Sequence, residues 1–279
     1  MRSIRRQRPL LGTFVEIGVQ PPWSRRSPPD CPFTAAFASI AQIHRLLSFQ
    51  DPDSDLSRLN RAGGEPVALH PLSLRVLRLA RAMTFASGGL FNCTVGGTLV
   101  RRGVLPDHDG TPTLDRGDAH DIVCNSRTAQ LRRPLRITLD GIAKGYAVDL
   151  AITALRRCGI VNGWINAGGD LRVFGTMTLP VHRREADGHL APLGNLCNAA
   201  LASSHASAAH DMDFPAVIVP GATNACAHPG VWSVIARHTW RADALTKVAA
   251  LAPAANRNAI IQRLGGLLVY PASLKDVAA

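Results

Sequence analysis

Between Asp140 and Asp170 the chain reads DGIAKGYAVDLAITALRRCGIVNGWINAGGD, and this stretch leaves little freedom in how it folds. Ala143, Ala147, Leu150, Ala151, Ala154, Leu155 and Cys158 fall on one stripe at helical spacing, and Gly159 stops the helix. Gly163–Ala167 then reads as a short strand rising into Gly168, Gly169 and Asp170. Helix, strand and glycine turn follow one another with almost no loop.

The flanking sequence lacks the regular alternation of a parallel sheet. Residues 11–19 alternate around Phe14, Val15 and Ile17 as a strand whose natural setting is a hairpin or a sheet edge, and the Pro-rich 21–32 is a loop. Helical spacing predicts helices over 33–47 and 72–86, the second stopped by Gly88 and Gly89, with a polar loop over 48–60 between them. After a polar connection from 101 to 120, residues 121–125 and 135–139 are expected to pair as a hairpin. Beyond Leu171, short strands over 171–174, 199–203, 216–219 and 232–236 precede helices over 242–251 and 256–263. This order predicts an α+β fold of mixed β-sheets and helices, one domain over 1–279 with two intimately packed lobes as the variant.

Composition narrows the partners. With 46% apolar and 18% charged residues the chain is globular, and the formal charge of +11 favours a polyanion. Arginines cluster at Arg2, Arg5, Arg6 and Arg8, at Arg132, Arg133 and Arg136, and at Arg183 and Arg184, yet no aromatic residues interleave with them. No nucleic-acid partner is therefore expected, whereas a phosphate-rich small ligand is. The six cysteines have no metal-ligand spacing, and their apolar surroundings imply core thiols. No transmembrane segment of about 20 apolar residues is present, and Pro9 and Gly12 interrupt any apolar export core, so a cytoplasmic location is expected.

Four segments carry candidate chemistry. Asp140, Gly141, Lys144 and Gly145 open a helix, where free N–H groups and the helix dipole favour an anion; equally, Asp140 reads as a plain N-cap. Asn166, Gly168, Gly169 and Asp170 allow close approach of a ligand to the backbone, or form only a tight turn. Leu90, Phe91, Asn92 and Thr94 lie in a third glycine-flanked stretch over 88–97. Asp243, with Thr246 and Lys247, stands near a helix start, where a carboxylate either ligates a hard cation such as Mg²⁺ or caps the helix. Neither a Walker loop nor a Rossmann fingerprint is present, and no Ser, His and Asp set or HExxH stands out.

In order and spacing together, these segments resemble the ApbE family of FAD:protein FMN transferases. RPLLGTFVEI at 8–17 and DPDSDLSRLN at 51–60 resemble the family's opening and its first loop, and the likeness covers 8–271, weakest over 101–135 and 176–230. The resemblance implies a deep FAD cleft beside Mg²⁺. Leu90, Phe91, Asn92 and Thr94 would line the flavin site, and Asn166, Gly168, Gly169 and Asp170 would complete the cleft. Gly141, Asp243 and Thr246 would hold the metal. It further implies that a Thr or Ser hydroxyl of an acceptor flavoprotein attacks the FMN phosphorus and AMP leaves, with Lys144 and Asp243 in the catalytic set. Family members usually act in the periplasm or at a membrane. The chain departs from the family pattern in carrying Asn92 and Thr138 in place of aspartates and Lys247 in place of a threonine metal ligand. Ala216 to Pro220 stand where the family has a His and an Asp-Pro pair, leaving His205, His210, Asp211 and His228 as replacements. FAD pyrophosphate hydrolysis and FAD binding with impaired or no transfer are the rival expectations.

Overall fold

Leu11 and Gly12 both take positive φ, 58° and 68°, the turn geometry that matches the right-handed twist of paired strands. Ile4–Leu10 (β1) therefore doubles back on Thr13–Val19 (β2), with Leu10 opposite Thr13. The computed structural model describes residues 3–20, 31–206, 218 and 227–270. After the hairpin come Cys31–Leu47 (α1), Asp55–Asn60 (α2), Val67–Ala68 (β3), Pro71–Ala86 (α3) and Gly96–Arg101 (α4). Ile122–Cys124 (β4) and Thr128–Leu131 (β5) precede Ala143–Arg157 (α5), Gly163–Ala167 (β6) and Asp170–Phe174 (β7). Thr178–Arg184 (β8), Leu190–Cys197 (β9), Ala200–Ala206 (β10) and Gly230–Ala236 (β11) follow. Thr239–Leu251 (α6), Arg257–Arg263 (α7) and Gly266–Val269 (β12) complete the order.

Seven strands form one antiparallel sheet in the order β1-β2-β6-β7-β10-β11-β12. Successive side chains on a strand face opposite ways, and β6 uses both faces. Ile165 and Ala167 join the main core with Phe37 and Ile40 of α1 and Ala147 and Ala151 of α5. Trp164 packs with Val173, Val181, Leu196 and Leu201 beneath the β8–β9 hairpin. Covered on both sides, β6 and β7 are the rigid centre from which the Gly168–Gly169 turn projects. The α+β expectation is met.

Helices α5 and α6 touch through their backbones. A Cβ on Gly145 would lie 2.6 Å from the Thr239 carbonyl oxygen, so only glycine permits this approach. Asp149 of α5 then caps its neighbour, accepting from the Thr239 and Trp240 amides at 3.1 Å and from the Thr239 hydroxyl at 2.9 Å. A carboxylate there satisfies orphan N–H groups and complements the helix dipole. Asp243, one turn further in, is consequently no cap, and the cap reading of Asp140 also falls, since Ile142 occupies that position.

Other expectations need correction. The predicted pairing of 121–125 with 135–139 is not formed: β4 pairs with β5, with Ile122 opposite Leu131. Residues 135–139 are buried on all sides without joining a sheet. Their backbone is satisfied by Cys93, Gly96 and the Asn60 side chain, whose amide exchanges two hydrogen bonds with Ile137 at 2.9 and 2.7 Å. An apolar run with such partners imitates a strand in sequence. The expected loop over 48–60 contains α2, capped by Ser54. Helix α4 and the β8–β9 hairpin lie where no element was expected. Among the described residues Cys93 alone is a buried thiol, while Cys31 and Cys197 are exposed. The strand expected at 216–219, apart from Ile218, lies outside the described residues, as do 21–30 of the Pro-rich loop, whose Cys31 and Pro32 open α1. Among the described residues no helix is long and apolar enough to cross a membrane.

Candidate functional site

The first turn of α5, the β6–β7 turn and the inner face of α6 bring three carboxylates and two lysines together. Asp243, 1% exposed, accepts from the Gly145 amide at 3.3 Å and from Lys247 Nζ, one helical turn on, at 2.5 Å. Lys247 Nζ also donates to Ser204 Oγ at 3.1 Å. The Thr246 hydroxyl donates to the Asp243 carbonyl, so the Ser204 hydroxyl must donate to Thr246 Oγ1, 2.7 Å away. This relay fixes each hydroxyl's direction. Lys144 Nζ lies 3.4 Å from Asp170 Oδ2, an ion-pair distance without hydrogen-bond geometry, and that oxygen has no hydrogen-bond partner among the described residues. Asp140 accepts from the Thr138 hydroxyl at 3.0 Å.

Burial drives the electrostatics. It pushes the Asp170 carboxyl up to about 7, with Asp243 adding to the rise and Lys144 and Lys247 opposing it. Burial likewise raises Asp140, while the Asp170 charge holds Lys144 above its ordinary value. A carboxyl raised on folding contributes stability that is fully present below its unfolded value of about 3.9. That contribution is lost as pH rises through about 7. The melting temperature of the ligand-free chain should therefore fall between about pH 5 and about pH 8, and Asp170→Asn should flatten that slope. Equal slopes in both proteins would remove Asp170 as the source.

Above the cluster lies a cavity of about 420 Å³. Leu90, Phe91, Asn92, Gly141, Lys144 and Gly168, all singled out in the sequence, line it together with Asp140, Ser204, His205 and Lys247. A second hollow of about 790 Å³ shares Gly168, Ser203 and His205 with it and is lined by Asn166 and Gly169. The Gly169 amide donates to Asn166 Oδ1 at 3.1 Å, closing the turn between the hollows. Asp170 and Asp243 sit beneath as buried charges. Thr94 and Thr246 do not line either hollow; both are fully buried and act through hydrogen bonds. Thr94 Oγ1 donates to Asn92 Oδ1 at 2.7 Å and accepts from the Gly117 amide, while Asn92 Nδ2 donates to the Gly117 carbonyl at 2.9 Å. An aspartate lacks that last donor, which gives the asparagine at 92 a structural reason.

Sequence reasoning passed over Ser204, which sits on a strand with no motif, and gave Asp140 a place in the anion-binding turn or as a cap, without a role for its carboxylate in the cluster. Of the replacement bases it offered, His205 lines both hollows and His228 lines neither. His210 and Asp211 lie outside the described residues.

The position given to Mg²⁺ does not fit a divalent ion. Asp243 Oδ1 already holds an ammonium, and Lys247 Cε lies 3.3 Å from where a Cβ on Gly141 would be. Thr246 has its hydroxyl committed to the relay. Among the described residues no group of three acidic, histidine or cysteine side chains has metal-holding geometry.

Fold and site thus define an α+β protein whose glycine-walled cleft is floored by two lysines among three carboxylates. The sequence model of the ApbE family matches residues 11–270, and the chain belongs to that family. It is 30% identical over 153 residues to the FAD:protein FMN transferase of Rhodobacter capsulatus, covering 50% of this chain and 29% of that protein. Against the FAD:protein FMN transferase of Vibrio cholerae serotype O1 it is 27% identical over 147 residues, covering 49% and 44%. The match thus spans less than half the length of either relative. The ApbE protein of Thermotoga maritima superposes with a TM-score of 0.80 at 20% identity, over 99% of each chain, which shows the shared fold.

Proposed function

We propose that the chain, acting as one domain over 1–279, binds FAD across the two hollows and transfers the FMN moiety to a Thr or Ser hydroxyl of an acceptor flavoprotein. The observation that carries this reading is the convergence of Lys144 and Lys247 on one cavity walled by Gly141 and Gly168. A diphosphate needs cations and close backbone approach together, and these residues supply both. Leu90 and Phe91, with Val104 and Leu105, offer an apolar wall for the flavin ring, and the adjoining hollow takes the adenylate half.

In the proposed reaction the acceptor oxygen forms a bond to the FMN phosphorus as the bond to the bridging oxygen breaks. AMP leaves with that oxygen, and His205 takes the hydroxyl proton. Lys144 offsets charge on the phosphate oxygens, so positioning and electrostatics supply most of the acceleration. Asp170 holds Lys144, and Asp243 holds Lys247. The resemblance also implies Mg²⁺, but the Lys247 ammonium stands at that position, and the proposed reaction uses the chain's own cations.

A second reading, FAD held without transfer, is favoured by the absence of an ionisable side chain over 216–220. Incubation with FAD and a Thr-bearing peptide, followed by mass spectrometry and AMP assay, separates the possibilities. An FMN-sized mass gain on the peptide supports transfer. AMP without peptide modification indicates hydrolysis with water as acceptor, and bound FAD with no AMP indicates the binding protein. His205→Gln should lower transfer by about 10²–10⁴-fold with FAD binding retained; undiminished transfer would remove His205 as the base.

A further inference from the structure

We propose that Lys247 is a cation built into the cleft, whose ammonium takes the place of a divalent ion opposite the flavin dinucleotide's diphosphate, so that FAD binding by this chain needs no metal. The proposal rests on the FAD reading above and deepens it. The Lys247 stem crosses Gly141, with Cε and Cδ at 3.3 and 3.6 Å from the site of an added Cβ, and its Nζ ends 2.5 Å from Asp243 and 3.1 Å from Ser204. Two of the three ammonium hydrogens are used in this way. No acceptor for the third is present among the described residues, and the side chain, 22% exposed, lines the cavity shared with Lys144.

Three features separate this arrangement from an ordinary surface ion pair. Asp243 is almost wholly buried, so its charge requires a permanent counter-ion. Ser204 is oriented by the relay through Thr246 to present a lone pair to the ammonium, which fixes Nζ from a second direction. A divalent ion entering here would have to displace the ammonium from the carboxylate and then sit beside it as a like charge.

The test titrates FAD into the whole chain by flavin fluorescence, once with EDTA and once with excess Mg²⁺, alongside Lys247→Thr and Lys247→Gln. Mn²⁺ binding is followed separately by its electron paramagnetic resonance signal without flavin. Affinity for FAD is expected to be the same in EDTA and Mg²⁺ for the natural chain. In EDTA it should fall by about tenfold or more in both variants, with Mg²⁺ restoring it and Mn²⁺ binding appearing in Lys247→Thr. FAD binding by the natural chain only when Mg²⁺ is present would overturn the built-in cation and leave the flavin reading standing. So would variants that bind FAD undiminished in EDTA. No FAD binding by the natural chain under either condition would overturn the flavin reading and this inference with it. The natural chain's comparison of EDTA with Mg²⁺ stays decisive even where a variant fails to fold.

Discussion

Asp243→Ala should lower folding stability by about 3 kcal/mol, the loss typical when one member of a buried ion pair is removed. The carboxylate is 1% exposed and serves two donors, Lys247 Nζ and the Gly145 amide. Alanine removes the acceptor of the Gly145 amide and leaves the ammonium with only Ser204 at the seam between α5 and α6. Because the Lys247 side chain is 22% exposed, water recovers part of the ammonium's solvation, which places the expected loss at the lower end of the range for such pairs. Asp243→Asn keeps an oxygen for the amide and should lose less. Urea unfolding reports both: the midpoint should shift while the slope stays constant, marking a change in stability rather than in compactness. An alanine variant as stable as the natural chain would mean that the carboxylate does not hold this seam.

Lys144→Met is the second large effect, and it falls on turnover. Methionine keeps most of the stem's packing and removes the charge, so the rate of AMP release with acceptor should drop by about 10²–10³-fold, as when a preorganised charge-stabilising donor is lost. The fold should tolerate the change near neutral pH. Lys144 opposes the burial-driven rise of Asp170, so without it that carboxyl shifts further upward and takes up a proton instead of remaining an unpaired charge. Initial rates and thermal melting measured on the same preparation separate the two effects. Undiminished AMP release would remove Lys144 from the reaction.

Much of this arrangement was legible before any coordinates. Gly163–Ala167 begins and ends where periodicity and glycine placed it, because a short apolar strand between two glycine signals has few alternatives. The segments flagged at 141–144 and 166–168 meet because helix, strand and turn follow one another with almost no loop, whereas 90–92 reaches the same cavity through long-range packing. Long-range pairing was harder to see. Asn60 satisfies the Ile137 backbone from 77 positions away, and no local pattern in 135–139 announces such a partner. The same holds for Asp149, whose cap on α6 serves amides 90 and 91 positions on, and for Ser204. Their roles depend on which surfaces face one another, and a linear pattern does not encode that. Lys247 was visible as a departure, but whether it repels a metal or stands in for one depends on where its ammonium rests.

The Asp149 cap and the backbone contact at Gly145 join the helix that carries Lys144 to the helix that carries Asp243 and Lys247. Loosening that joint would separate the charges from one another and uncap α6 in the same event, so the cleft has no melting step of its own. Heat or denaturant should abolish ligand affinity and helix content together, as one cooperative unit.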